Sequence, residues 1–167
     1  MEFEQIPDEK VLKEVFNQPS MGIAIFYPNF KYEKVNKAFC DLVSYSEEEL
    51  KKKSFVDITH PAHILQDTEG VNKIISGENT FYKTEKRYIK KGGEVIWAET
   101  FCSGVKNELN QVVFLVSFIF DITKRKYEED LLKSANALSL ERELIIASQK
   151  EEIQLLKEKL SKTQSKK

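Results

Sequence analysis

The stretch FIFDITKRKYEEDLL, residues 118–132, changes character within a few residues. Phe118, Ile119 and Phe120 close an apolar run, QVVFLVSFIFDI (111–122), whose aromatic and aliphatic side chains alternate in the two-residue period of a strand. From Lys124 onward the chain is so charged that only a solvent-facing helix suits it. Strand therefore hands over to helix across Asp121, Ile122 and Thr123 with no linker between them. The junction divides the chain into a body and a tail.

Upstream, FYKTEKRYIK (81–90) and EVIWAETFCSGV (94–105) are two further strands, with KGG between them and NELN before the last strand. GIAIFY (22–27), a Pro28-Asn29 turn and YEKVN (32–36) form a hairpin. Helical patterns lie between. NKAFCDLV is followed by SEEEL, where Ser46 and Glu49 have capping-box spacing, and residues 62–76 carry Ile64, Leu65, Val71, Ile74 and Ile75 before Gly77. Two strands, short helices and three strands predict an α+β fold over residues 19–123, an antiparallel sheet with its helices on one face. Residues 1–18 add an amphipathic flanking helix opened by Pro7 and Asp8, with Val11, Leu12, Val15 and Phe16 along one side.

The tail, residues 124–167, has no Pro or Gly and predicts one helix roughly 60 Å long. Leu131, Ala135, Leu138 and Ile145 fit one heptad frame, with Arg142 at an a position. Ile146, Ile153, Leu156 and Leu160 fit a second frame, with Gln149 at a d position, and a four-residue stutter joins the two. Eight apolar residues on one seam predict a parallel homodimeric coiled coil with a frayed basic end.

Composition excludes several classes. With 26 basic and 27 acidic residues in 167 there is no basic excess for a nucleic-acid binder, and the length allows one domain of about 120 residues plus an appendage. No apolar stretch approaches the roughly 20 residues that span a bilayer, and the acidic start MEFEQIPDEK lacks the pattern of an export signal. The expectation is a cytoplasmic protein with no membrane partner. Cys40 and Cys102 have no C-x-x-C spacing and read as reduced core thiols. No nucleophile and base pair, phosphate loop or metal-ligand spacing is visible, so neither enzymatic activity nor a metal is expected, and no kinase, cyclase or DNA-binding pattern indicates an output.

Six segments in order, VNKAF (35–39), YSEEEL (45–50), DITHP (57–61), Gly77-Glu78, EKRYIKKGGEVIW (85–97) and DITKRK (121–126), resemble those of PAS domains, the small sensory modules of signalling proteins. The resemblance covers about Val11 to Thr123. It implies a five-stranded antiparallel sheet cupping a pocket under the helices, with the D-I-T turn passing the last strand to a signalling helix. A junction without slack converts strand movement into helix movement, which a flexible linker would dissipate. Asp121, Ile122 and Thr123 are therefore the expected signal junction. Asp121 is expected to be partly buried and held by backbone amides or by Lys124 or Arg125, unless it is simply the cap of the tail helix.

The function implied is a dimeric sensory module that takes a small ligand in its core and passes a conformational change to its coil. The alternative is a ligand-free dimerisation scaffold whose coil recruits a protein partner. Some haem-binding relatives ligate iron from a histidine on the helix after the T-H-P position, but His60 and His63 follow the common form, in which the histidine is a loop residue near a helix start. Flavin-binding light sensors carry their photoactive cysteine where this chain reads ITHPAHILQ, so no photoadduct can form here. Neither haem nor flavin is expected, and the cofactor stays unassigned.

The pocket lining depends on register, because a slip of one residue inverts every side chain. A three-residue KKGG turn with Gly93 left-handed puts Tyr88 on the face of Ile96, Ala98 and Thr100, whereas a two-residue Gly-Gly turn swaps that pairing. The flavin-binding relatives favour the first, and their last strand, carried over, points Leu115, Ser117 and Ile119 inward with Tyr88, Ala98 and Thr100. These side chains either line an apolar pocket with three hydroxyls or merely fill the core. The same parity turns Trp97, Phe101, Phe114, Val116, Phe118 and Phe120 outward. So large an apolar face needs a cover, for which the N-terminal helix and a second subunit are the expected candidates.

Overall fold

The computed structural model describes residues 9–164, with side chains through residue 158. The expected helix opening at Pro7 and Asp8 and the seam side chain of Leu160 lie outside the described residues. The elements are α1 (Glu9–Phe16), β1 (Gly22–Phe26), β2 (Tyr32–Val35), α2 (Lys37–Val43), α3 (Glu47–Leu50), a 3-10 turn (Phe55–Ile58), α4 (Pro61–Ile75), β3 (Phe81–Ile89), β4 (Val95–Lys106), β5 (Val112–Asp121) and α5 (Thr123–Gln164). Two compact units meet between Thr123 and Lys124.

Within the first unit the strands form one antiparallel sheet in the order β2-β1-β5-β4-β3. The first and last strands of the unit lie side by side, so the long central β5 is paired on both edges. Local chemistry sets where the helices begin. Asn36 caps α2 by accepting from Phe39 N, and Ser46 and Glu49 close the reciprocal capping box of α3. His60 is the N-cap of α4, its Nδ1 accepting from Ala62 N, with Pro61 in the first turn. The core between helices and sheet centres on Phe39, Leu50, Ile58, Ile74, Leu115 and Ile119, each at most 2% exposed.

Gly93 takes φ +87°, and Tyr88 pairs with Ile96. The hairpin is thus the one with Gly93 left-handed, the conformation that glycine adopts without a Cβ penalty. Tyr88, Ile96, Ala98 and Thr100 consequently lie inside, as do Leu115, Ser117 and Ile119 of β5. Trp97, Phe101, Phe114 and Val116 are partly exposed, and Phe118 and Phe120 are exposed, on the opposite face.

Among the described residues, the N-terminal helix does not supply the expected cover. α1 buries none of its residues, and Val11, Leu12 and Val15 are exposed. Its tie to the domain is at its C-terminal end: Asn36 Nδ2 donates to Phe16 O at 2.9 Å, and the Lys34 ammonium lies 5.0 Å from the centre of the Phe16 ring. Those contacts hold the end of the helix beside β2, while Val11, Leu12 and Val15 stay exposed. In the second unit, Leu131, Leu138, Ile145, Ile146, Ile153 and Leu156 are exposed along α5, as are Ala135, Arg142 and Gln149. No helix among the described residues is long and apolar enough to cross a membrane.

Candidate functional site

The inward parity that buries Tyr88 and Thr84 also turns Lys86 inward. A buried ammonium needs a partner, and α4 supplies one: Asp67 lies one turn before Val71 on the helix's buried side. Lys86 Nζ stands 2.6 Å from Asp67 Oδ2, with side-chain exposures of 7% and 2%. The ammonium also lies 3.5 Å from Thr59 Oγ1, 4.7 Å from the Tyr88 ring centre and 5.1 Å from that of Phe55. Thr59 is itself fixed by donating to Phe55 O. The ion pair ties helix layer to sheet, and only one carboxylate oxygen is used; among the described residues Asp67 Oδ1 is the buried side-chain polar atom with no hydrogen-bond partner.

Beside the pair lies a small cavity lined by Ala24, Phe26, Tyr32, Phe55, Asp67, Val71, Tyr82, Lys86, Tyr88, Thr100, Cys102, Ser117 and Ile119. About 20 Å³ of it is open to the centre of a water molecule. One water needs about 10–15 Å³ on that measure, so an isoalloxazine or porphyrin would have to displace the ion pair and the aromatic walls.

Of the residues expected at the pocket, Tyr88, Thr100, Ser117 and Ile119 line the cavity. Ala98 and Leu115 are fully buried but do not, because the core is packed solid around them. The expectation of an apolar pocket with three hydroxyls also requires correction, since an acid and a base face into it. Sequence parity could have found Lys86 once Tyr88 was placed inward, although lysines are mostly exposed.

Burial sets the titration of the lining. It pushes the Tyr32 and Tyr88 phenols well above their usual range, so both are neutral. It also pushes the Cys102 thiol up to about 11, against an opposing hydrogen bond with Ser117, which leaves an inert core thiol. Tyr82 closes the cavity towards the surface. Its hydroxyl lies 3.3 Å from Gln66 O, and its ring packs so tightly on Gly70 that a Cβ there would come within 2.5 Å of it.

Of the three expected junction residues, Asp121 differs from expectation in being exposed, and Thr123 makes the tie to the sheet. Asp121 is exposed, and its Oδ1 accepts from Thr123 N at 2.8 Å, a local turn closing on a backbone amide. Within the second unit the Lys124 and Arg125 side chains pair with Glu128 and Glu129. The tie to the sheet runs through Thr123. Trp97 N donates to Thr123 Oγ1 at 3.0 Å, Thr123 Oγ1 lies 3.3 Å from Trp97 O, and Ile122 N donates to Trp97 O at 3.0 Å. Ile122 is buried.

Trp97 also carries a side-chain stack. The Arg87 guanidinium lies 5.2 Å from its ring centre, and Arg87 Nε donates to His63 Nε2 at 3.0 Å. Burial, then the nearby Arg87 charge, lowers the His63 pKa and keeps that acceptor nitrogen free of a proton.

Comparison with known proteins places this architecture. A model of the PAS fold matches residues 32–119. The chain is 31% identical over 123 residues to the probable diguanylate cyclase DgcE of Escherichia coli strain K12, covering 74% of this chain and 11% of that protein. It is 24% identical over 136 residues to the sensor histidine kinase TmoS of Ectopseudomonas mendocina, covering 81% of this chain and 14% of that protein. The chain thus spans a small fraction of the curated relatives it matches. Among solved structures, the PAS domain of a protein from Colwellia psychrerythraea superposes with a TM-score of 0.63 at 23% identity, over 69% of this chain and 97% of that one.

Proposed function

The chain belongs to the PAS-fold family, and from that premise we propose that it is a cytoplasmic sensory module, dimeric through α5, whose core cavity takes a small ligand and whose D-I-T junction transmits the outcome. The observation that carries this reading is the Thr123 clamp. β5 ends at Asp121 and α5 starts at Thr123, and the hydroxyl opening the helix is bonded to both backbone groups of Trp97 in β4. A shift of β4 therefore has no slack to absorb it before the helix.

The match to a probable diguanylate cyclase and a sensor histidine kinase supports a signalling role. The module itself supplies no catalytic group on this reading.

Thr123→Val keeps the shape and removes the clamp. Hydrogen exchange over residues 125–160 is the measurement, comparing wild type with Ser117→Phe, which crowds the cavity. The crowding substitution is expected to change tail protection in the Thr123 background and not in the Thr123→Val background. Equal tail responses in both backgrounds would refute transmission through the clamp.

Dimerisation has its own test. Ile153→Asp with Leu156→Asp puts four charges into the seam of a paired coil, at a cost of several kcal/mol. Light scattering is expected to show loss or loosening of the dimer, and an unchanged mass with unchanged helicity means the seam lies elsewhere.

The small size of the cavity favours a second reading, a ligand-free dimerisation scaffold whose coil recruits a protein partner. Native mass spectrometry of freshly purified protein separates the two, since a co-purified small molecule supports the sensor and a bare dimer mass the scaffold.

A further inference from the structure

The Asp67–Lys86 pair restricts what the cavity can hold. Oδ2 of Asp67 is committed to Lys86, whereas Oδ1 has no donor, on a residue 2% exposed that lines the cavity. A buried carboxylate oxygen without a donor loses solvation and gains nothing back, so a molecule presenting an O–H or N–H to it forms a charge-assisted hydrogen bond. Acceptors alone do not satisfy it.

Charge is the second restriction. The pair is neutral as a unit, and every other group lining the cavity is uncharged at neutral pH. An anion or cation entering would bring a charge with no counterpart in an enclosure that screens poorly. Size is the third. About 20 Å³ open to the centre of a water molecule is room for one or two waters. The rings of Phe26, Phe55 and Tyr88 in the lining accept a small carbon body beside the polar end.

We infer that the cavity binds a net-neutral hydrogen-bond donor of about two or three heavy atoms, of the alcohol or primary-amide class, seated on Asp67 Oδ1. Tyr82 is its door. The ring lies against Gly70 and its hydroxyl bonds to Gln66 O at 3.3 Å and to Thr84, between α4 and β3, so opening the cavity takes a rotation of this one side chain. The inference rests on the reading of the cavity as a ligand site and names the ligand's class.

The test is a titration of the whole 15N-labelled chain, followed by amide shifts, with methanol and formamide set against their charged counterparts of the same size, methylammonium and formate. Formamide and methanol are expected to give saturable shifts in residues 67–71 and 84–88, with a Kd no tighter than about 1 mM, the ceiling for so few atoms. The ions are expected to bind at least about tenfold more weakly. Asp67→Leu combined with Lys86→Met, which removes both charges at once, is expected to abolish the saturable shifts.

Formate or methylammonium binding as tightly as formamide, linear shifts spread over the chain, or unchanged binding in the double variant would each overturn the inference. Should the double variant fail to fold, the formamide and formate titrations of the native chain decide alone. Saturable formamide binding without any change in exchange over residues 125–160 retains this site and sinks transmission to the tail. A different co-purified molecule that alters α5, together with no formamide binding, retains the transmission and sinks the ligand class.

Discussion

Lys86→Met is expected to destabilise the domain by about 3–5 kcal/mol, the usual cost of breaking a buried ion pair from one side. The substitution keeps most of the side chain's volume, so the loss is not a cavity effect. It removes the ammonium 2.6 Å from Asp67 Oδ2 and leaves both oxygens of a carboxylate that is 2% exposed without a donor. Adding Asp67→Leu to the same chain is expected to recover most of the loss, because apolar replacement of both partners removes the stranded charge. Urea unfolding of the two single variants and the double variant measures this directly. A double variant no more stable than Lys86→Met would show that the pair's charges are not what the single substitution exposes.

Asn36→Ala is expected to cost a similar amount, about 3–6 kcal/mol, since it orphans several groups at once at about 1–3 kcal/mol each. Asn36 is 1% exposed, and its Oδ1 accepts from both Ile23 N and Phe39 N at 2.9 Å. Its Nδ2 donates to Phe16 O and Met21 O, also at 2.9 Å. One amide thereby caps α2, holds the start of β1 and ties down the segment that follows α1. Asn36→Asp keeps the acceptor and loses the two donors, so it is expected to lose about half as much and to release residues 16–21 selectively. Hydrogen exchange separates these outcomes. Uniform loosening in Asn36→Asp, equal to that in Asn36→Ala, would mean that the carbonyl contacts to Phe16 and Met21 contribute nothing local.

The strands, short helices and strand-to-helix junction were legible in the chain because each depends on neighbours a few residues apart. The two-residue alternation of β5, the capping-box spacing of Ser46 and Glu49, and the glycine needed for a left-handed turn at Gly93 are local properties, and all three have the structural counterparts expected of them. The turn left two registers open and the resemblance to flavin-binding relatives chose between them; the structure has the chosen one, with Tyr88 paired to Ile96. Thr100 beside the cavity follows from the parity of Tyr88, and Ser117 from the resemblance of the last strand.

Tertiary structure alone decided the rest. Asp67 and Lys86 are 19 residues apart on a helix and a strand, and each taken by itself reads as a surface residue. Only the packing of α4 on β3 brings them within 2.6 Å and excludes water from both. Thr123 becomes the anchor of the junction because β4 pairs with β5 in the register that sets Ala98 against Asp121 and brings the backbone of Trp97 to it. The cavity volume is a small difference between the space the elements enclose and the side chains that fill it, so no local pattern encodes it. Periodicity in a chain specifies which face of an element is buried. What that face meets, and whether a buried charge finds its counterpart there, is settled only when all the elements pack together.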